Sequence, residues 1–258
     1  MNLPKFKNQH EVNLYIQAYI AQKDEKKEGY TKEEKELIAR YSGSGGLASK
    51  GAKADAGLLY EFYTPDWLCE LMWKLALHHG YDGGTVLEPS CATGNLFKNA
   101  PDESKCVGFE TNPTTARIAQ ILYPKATIHT GYFETAFLDP PRFVSKLKGK
   151  TTWLKEYPFS LVIGNPPYGI YKNRYSAYFD KKLFKQVEIF FIYQALQLLT
   201  SGGLLVYLLS QNFLRTGDKY NNAKDAIGKY ADLIDAYRLP KVFTQSDVPT
   251  DILVLRKK

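Results

Sequence analysis

At 258 residues, 44% hydrophobic and 24% charged, the chain has the make-up of one large globular α/β unit. Met1 to Lys7 has no apolar run behind its two lysines, and the most apolar window, Ile189 to Leu199, is too short for a bilayer, so neither a leader nor a membrane span is expected. Cys69, Cys91 and Cys106 and the four histidines sit at no pairing or metal-ligand spacing, which predicts a reduced, cytoplasmic, metal-free protein.

Residues 8 to 40 read as two polar helices split by KDEKKEG, the second opened by a capping box of Thr31 and Glu34. The stretch YSGSGGLASKGAKADAG, from Tyr41 to Gly57, reads as a loop. Its GSGG lacks the preceding strand and following G-K-[ST] of a phosphate cradle. The chain thus divides into an N-terminal helical extension with a Gly/Ala/Ser-rich loop, residues 1–56, and an α/β domain, residues 57–258. In TPDWLCELMWKLALHHG, Thr64 is the expected N-cap, Pro65 the first helical residue and Gly80 the stop.

Short apolar runs then alternate with helical patterns. The runs are TVLEP (85–89), KCVGFE (105–110), ATIHT (126–130), SLVIGN (160–165), GLLVYLLS (203–210), DLIDAYRL and TDILVLRK. Helices are expected near 94–100, from Pro113 to Tyr123, from Glu188 to Leu199 and near 220–230. This alternation predicts a doubly wound, mostly parallel sheet, Rossmann-like in style. Only PKVFTQSDVP separates the last two runs, too little for a parallel crossover, so they should pair as an antiparallel hairpin at or near the sheet edge.

The net charge of +7 is concentrated. From Pro141 to Lys185 ten Lys/Arg face only Glu156 and Asp180, a local charge of +8 that leaves the remaining chain at −1. Tyr171, Tyr175, Tyr178, Phe179 and Phe184 interleave with these cations. Basic plus aromatic is the composition of a surface that tracks phosphates and stacks bases, and Lys172, Arg174, Tyr175, Lys181 and Lys182 are the candidate nucleic-acid contacts.

Three segments end a strand with polar or turn residues and should converge at the carboxyl edge of the sheet. In VLEPSCATGNLF a carboxylate, Glu88, stands at the loop entrance and Gly94 is the only glycine, so a pyrophosphate is poorly served while an ammonium is welcome. In CVGFETNP, Glu110 ends the next strand, where an acid suits ribose hydroxyls. A nucleoside with a cationic, phosphate-free tail describes S-adenosylmethionine. In LVIGNPPYG, Asn165 offers a neutral amide oxygen, and the two prolines stiffen the backbone beside it. The Asn165 oxygen and the Pro166 carbonyl could grip the two N–H bonds of a conjugated amine and free its lone pair, with Tyr168 stacked on the ring that carries it.

The order YTP (63–65), LEPSCATGNL (87–96), FETNP (109–113) and NPPYG (165–169), closed by SQNFL and TDILVLRK, resembles the gamma arrangement of adenine-specific N6 DNA methyltransferases over roughly residues 60–257. ARYSGSGGL ahead of the YTP helix also resembles the methylase segments of large phage- and plasmid-borne helicase–methylase proteins. The resemblance implies that residues 57–258 form an S-adenosylmethionine-dependent catalytic domain acting on a flipped-out adenine of DNA. It implies that Tyr63, Thr64 and Pro65 touch the methionine end of the cofactor. Glu88, Pro89, Ser90, Ala92 and Gly94 would form its pocket, Glu110 would hold the ribose, and Asn165, Pro166, Pro167 and Tyr168 would form the catalytic cleft. Where the family commonly carries Asp-Phe near the cofactor adenine this chain reads GYFE, so Tyr132 replaces the acid and Phe133 or Glu134 must take over. The resemblance also implies a target-recognition domain after the catalytic sheet, which is not expected within these residues, so another subunit or a further domain would read DNA, or recognition would be minimal. Methylation of a protein glutamine or of RNA by the same chemistry, or a non-catalytic methylase-fold subunit of a restriction or conjugation complex, remain the alternatives.

Overall fold

A computed structural model describes residues 4–43, 62–138, 159–215, 218–243 and 249–258. The expected Gly/Ala/Ser loop and the cations from Arg142 to Lys155 therefore lie largely or wholly outside the described residues.

Seven strands form one sheet in the order β3-β2-β1-β4-β5-β7-β6. They are β1 (Thr85–Glu88), β2 (Cys106–Glu110), β3 (Thr127–Thr130), β4 (Phe159–Gly164), β5 (Leu199–Ser210), β6 (Ala231–Arg238) and β7 (Thr250–Lys257). The first five pair in parallel, and β7 runs antiparallel between β5 and β6. The doubly wound, mostly parallel sheet and the antiparallel closing hairpin are as expected. β6 forms the free edge, and β7 is the inner strand of the hairpin.

The strands read as continuous apolar runs because both faces are covered. On one face Leu87, Val162, Leu205 and Leu253 meet helix α5 (Val187–Leu198) and helix α6 (Asp218–Gly228). On the other Val86, Leu161, Ile163, Val206 and Val254 meet Leu68, Met72 and Trp73 of helix α3 (Asp66–His78). The two polar helices, α1 (Gln9–Glu25) and α2 (Lys32–Ile38), bury Ile16, Ile20, Leu37 and Ile38 against Ile118 and Ile121 of helix α4 (Pro113–Leu122). Arg117 of α4 adds a two-pronged ion pair to Asp24 at 2.8 and 2.6 Å. The Thr31–Glu34 capping box is present.

Two local expectations change. Pro65, not Thr64, caps α3, because the proline's extended φ and ψ (−67°, 152°) keep it outside the helix. The helix expected near 94–100 shrinks to one 3₁₀ stretch, Asn95–Asn99, entered from Gly94 in left-handed backbone at φ +82°.

Candidate active site

The cleft opens at the carboxyl ends of β1, β2 and β4, beside the point where the strand order reverses between β1 and β4. Its cavity measures 280 Å³, near the lower end of the roughly 300–1,000 Å³ common for ligand pockets.

The loop after β1 is pulled tight. Ala92 and Gly94 both adopt left-handed backbone, at φ +47° and +82°. A Cβ on Gly94 would come within 2.8 Å of the Tyr123 ring, so glycine is needed for space as well as for φ. The loop lies on β2 because residue 108 is also glycine: a Cβ there would stand 2.8 Å from Cys91 Sγ. Cys91 N–H then donates to the Phe109 carbonyl at 2.8 Å.

Glu110 knots three loops together. One carboxylate oxygen accepts from Ala92 N–H after β1 at 2.9 Å, and the other from Asn112 N–H in its own loop at 2.7 Å. The Glu110 carbonyl accepts from Gly131 N–H after β3 at 2.7 Å. The Thr111 hydroxyl also donates to the oxygen that Asn112 meets, at 3.4 Å.

Glu88 is only 4% exposed, and its Oε2 has no hydrogen-bond partner. It faces a 30 Å³ niche with Tyr63, Thr64, Ser90 and Thr93, and the niche shares Phe62, Tyr63, Ser90, Ala92 and Asn165 with the main cleft. Burial, reinforced by the charge of Glu110, holds its carboxyl pKa well above the usual range.

After β3, Tyr132, Phe133 and Glu134 all line the cleft. Phe133 packs edge-on against Phe109 at 5.6 Å. Glu134 is buried, accepts a hydrogen bond from the Asn173 side-chain NH2, and burial raises its pKa. Tyr132 meets Tyr175 edge-on at 5.3 Å, with the Arg174 guanidinium 5.5 Å from its ring centre.

On the opposite wall, Asn165 Nδ2 donates to the Phe62 carbonyl at 2.9 Å, and Asn165 Oδ1 accepts from the Tyr168 hydroxyl at 2.7 Å. That hydroxyl also lies 3.0 Å from the Leu208 carbonyl. Ser90 Oγ donates to the Asn165 carbonyl at 3.3 Å, joining the β1 loop to the β4 loop. Pro166, Pro167 and the Tyr168 ring line the cleft.

The chain beyond is a closed loop, pinned by Tyr171 N–H to the Lys185 carbonyl (3.1 Å) and Val187 N–H to the Gly169 carbonyl (2.9 Å). Phe190 of α5 anchors it, stacked on Tyr171 at 4.5 Å and met edge-on by Phe179 and Phe184 at 4.8 and 5.3 Å. Lys172, Arg174, Lys181 and Lys182 are exposed, Lys172 at the cleft.

Thus Tyr63, Thr64, Glu88, Pro89, Ser90, Ala92, Glu110, Tyr132, Phe133, Asn165, Pro166, Pro167, Tyr168 and Lys172 come together around the cleft and niche. Pro65, Gly94, Arg174, Tyr175, Lys181 and Lys182 line neither cavity. Phe62, Asn173 and Phe191 also line the cleft and were not anticipated. Phe62 directly precedes the YTP segment and was within reach; the partnership of Asn173 with Glu134 spans 39 residues and leaves no mark in the sequence.

Residues 96–243 match the Eco57I restriction-modification methylase family, and the chain belongs to that family. It is 25% identical over 232 residues to the defense against restriction protein B of Escherichia phage P1; that match takes in 88% of this chain and spans 9% of the phage protein's length. The fold is similar to a class I S-adenosylmethionine-dependent methyltransferase from Listeria monocytogenes (TM-score 0.62, 19% identity, 97% of this chain and 83% of that one). It is also similar to a type I restriction-modification methyltransferase subunit from Streptococcus thermophilus (TM-score 0.58, 20% identity, 77% and 45%). Among the described residues no helix is long and apolar enough to cross a membrane.

Proposed function

We propose that this chain is the catalytic segment of a DNA adenine N6-methyltransferase that uses S-adenosylmethionine. The observation that carries the reading is the pairing of a buried carboxylate, Glu88, having an unpartnered oxygen, with a neutral NPPY wall whose Asn165 side chain lines both cavities. A cationic tail fits the Glu88 niche, because a buried unpaired carboxylate is costly until a positive group meets it. Glu110, oriented by two backbone N–H groups at the rim of the cleft, is the carboxylate placed to meet ribose hydroxyls. Phe109, Tyr132 and Phe133 supply rings for a purine plane, and Glu134 is the acid available near it.

When bound, S-adenosylmethionine supplies a methyl group on a positively charged sulfur. Asn165 Oδ1 and the Pro166 carbonyl accept the two N–H bonds of the target amine, drawing its nitrogen toward tetrahedral geometry. Both acceptors are neutral, so they orient the amine without keeping its proton. The Tyr168 ring offers a stacking face for an extruded base. The exposed cations of the loop after NPPY would hold phosphates, with few groups suited to reading base edges. Sequence choice then belongs to a further domain or a specificity subunit. Family membership and the likeness to a type I methyltransferase subunit support that arrangement.

The test is to incubate the protein with methyl-labelled S-adenosylmethionine and, separately, DNA, RNA and protein. Label in the N6 position of DNA adenine is expected. Label in glutamine or RNA alone would replace this reading with one of its alternatives.

A further inference from the structure

A side-chain amide turned over by half a revolution keeps its shape but exchanges an acceptor for two donors. For Asn165 the two orientations have opposite consequences, since only the oxygen can hold an amine N–H. Two groups meet this amide, the Phe62 carbonyl at 2.9 Å from Nδ2 and the Tyr168 hydroxyl at 2.7 Å from Oδ1.

The hydroxyl is indifferent to orientation. It donates to Oδ1 as found, and with the amide reversed it could accept from Nδ2 while giving its hydrogen to the Leu208 carbonyl 3.0 Å away. The Phe62 carbonyl is an acceptor only. Reversal would set two carbonyl oxygens about as close as a hydrogen bond with no hydrogen between them, and would leave both unsatisfied.

We propose that the Phe62 backbone carbonyl is a positioning group that selects the Asn165 orientation, turning its oxygen and not its NH2 toward the target amine. The inference rests on the reading of Asn165 as the amine acceptor. The carbonyl is itself held in place: the Phe62 ring packs on Phe243 at 4.9 Å, and two residues later the Thr64 carbonyl accepts from Asn95 Nδ2 at 3.2 Å. The segment that borders the cofactor niche thereby also sets the catalytic amide.

Asn165→Asp tests this in the full chain. An ionised carboxylate offers the Phe62 carbonyl no hydrogen, whereas the neutral acid donates its O–H there and presents its C=O in place of the amide oxygen. The ratio of variant to wild-type methyl transfer, at saturating cofactor, should rise as pH falls, by about tenfold per unit while the acid is mostly ionised. Tyr63, Glu88 and Tyr168 beside Asn165, and Glu110, Glu134 and Lys172 across the cleft, are common to both proteins, so the ratio isolates the new carboxyl together with its coupling to them. A flat ratio, a ratio rising toward alkaline pH, or no activity at any pH overturns the inference. A second readout needs no turnover: in the ligand-free protein one Asn165 side-chain N–H should exchange slowly in nitrogen-15 spectra, and two rapidly exchanging protons would overturn it. Asn165→Ala separates the levels. If alanine is as active as wild type, the reading of the site has failed; if alanine is inactive while the aspartate ratio is flat, only the role of Phe62 has.

Discussion

The two walls of the cleft are built alike and finished differently. Each is a loop at the carboxyl end of a parallel strand, and each sets one polar side chain at the strand's end. After β1 that side chain is an ionisable carboxyl, Glu88, whose charged form burial disfavours, and one of its oxygens is buried with nothing to bond. After β4 it is a neutral amide, Asn165, and both its ends already have partners. The difference follows from solvation: a charge taken out of water needs an opposite charge, while an amide needs only hydrogen bonds that backbone and phenol can give. One wall is completed by what binds to it, and the other is complete beforehand.

Substitutions should divide along the same line. The largest effect is expected from Asn165→Ala, which should lower the methyl-transfer rate by about a hundred- to a thousandfold, the usual loss for one preorganised polar contact to a transition state. Calorimetric titration with S-adenosylmethionine should meanwhile stay near wild type. Glu88→Gln should do the reverse, weakening cofactor binding by about ten- to a hundredfold, from ~1.5–3 kcal/mol for a hydrogen bond to a charged group.

The same variant has a pH signature. Because the folded Glu88 carboxyl has a raised pKa, the native chain binds that proton more tightly than the unfolded chain. The contribution is favourable while Glu88 is protonated and is lost as pH rises from the ordinary carboxylate range through the raised value. Melting curves of the ligand-free protein should show that decline, and Glu88→Gln should flatten it. If both proteins decline alike, Glu88 is not the carboxyl whose ionisation the fold opposes.

Two smaller effects concern the neutral wall and its rim. Tyr168→Ala should cost about 1–3 kcal/mol in binding a flipped or abasic-opposed base, read from a fluorescent adenine analogue at the target site. Replacing Lys172, Arg174, Lys181 and Lys182 together by Ala should weaken unrelated duplexes about equally. It should also shrink the slope of log affinity against log salt by about 0.9 for each phosphate contact removed. A loss confined to one DNA sequence would show that this rim reads bases.

The strand and helix order was legible because a parallel sheet covered on both faces leaves unmistakable apolar runs, and the eleven residues between the last two strands allow only an antiparallel return. Glu88, Glu110 and Asn165 were legible as polar residues at strand ends. What stayed hidden depends on contacts far apart in the chain. Nothing local in VGFE tells that Gly108 makes room for Cys91, and nothing in YKNR tells that Asn173 will bond Glu134. Ala92 in left-handed backbone is equally unreadable, since alanine there is imposed by the neighbouring hydrogen bonds and not by its own preference. The segment at Asn95 misled for a related reason: helical composition cannot extend from a left-handed start with Phe97 and Tyr123 crowding it.

The aromatic anchor under the loop after NPPY has a consequence for proteolysis. Lys172, Arg174, Lys181, Lys182 and Lys185 place five tryptic bonds within fourteen residues, every one of them at an exposed side chain. A protease must draw several residues of extended chain into its own active site, so cutting requires local unfolding and not mere visibility. Here that means pulling Tyr171, Phe179 and Phe184 off Phe190, against the stacking and edge-on contacts that hold all three. The most cation-rich strip of the described surface should therefore be digested slowly, and Phe190→Ala should make it the first place trypsin cuts.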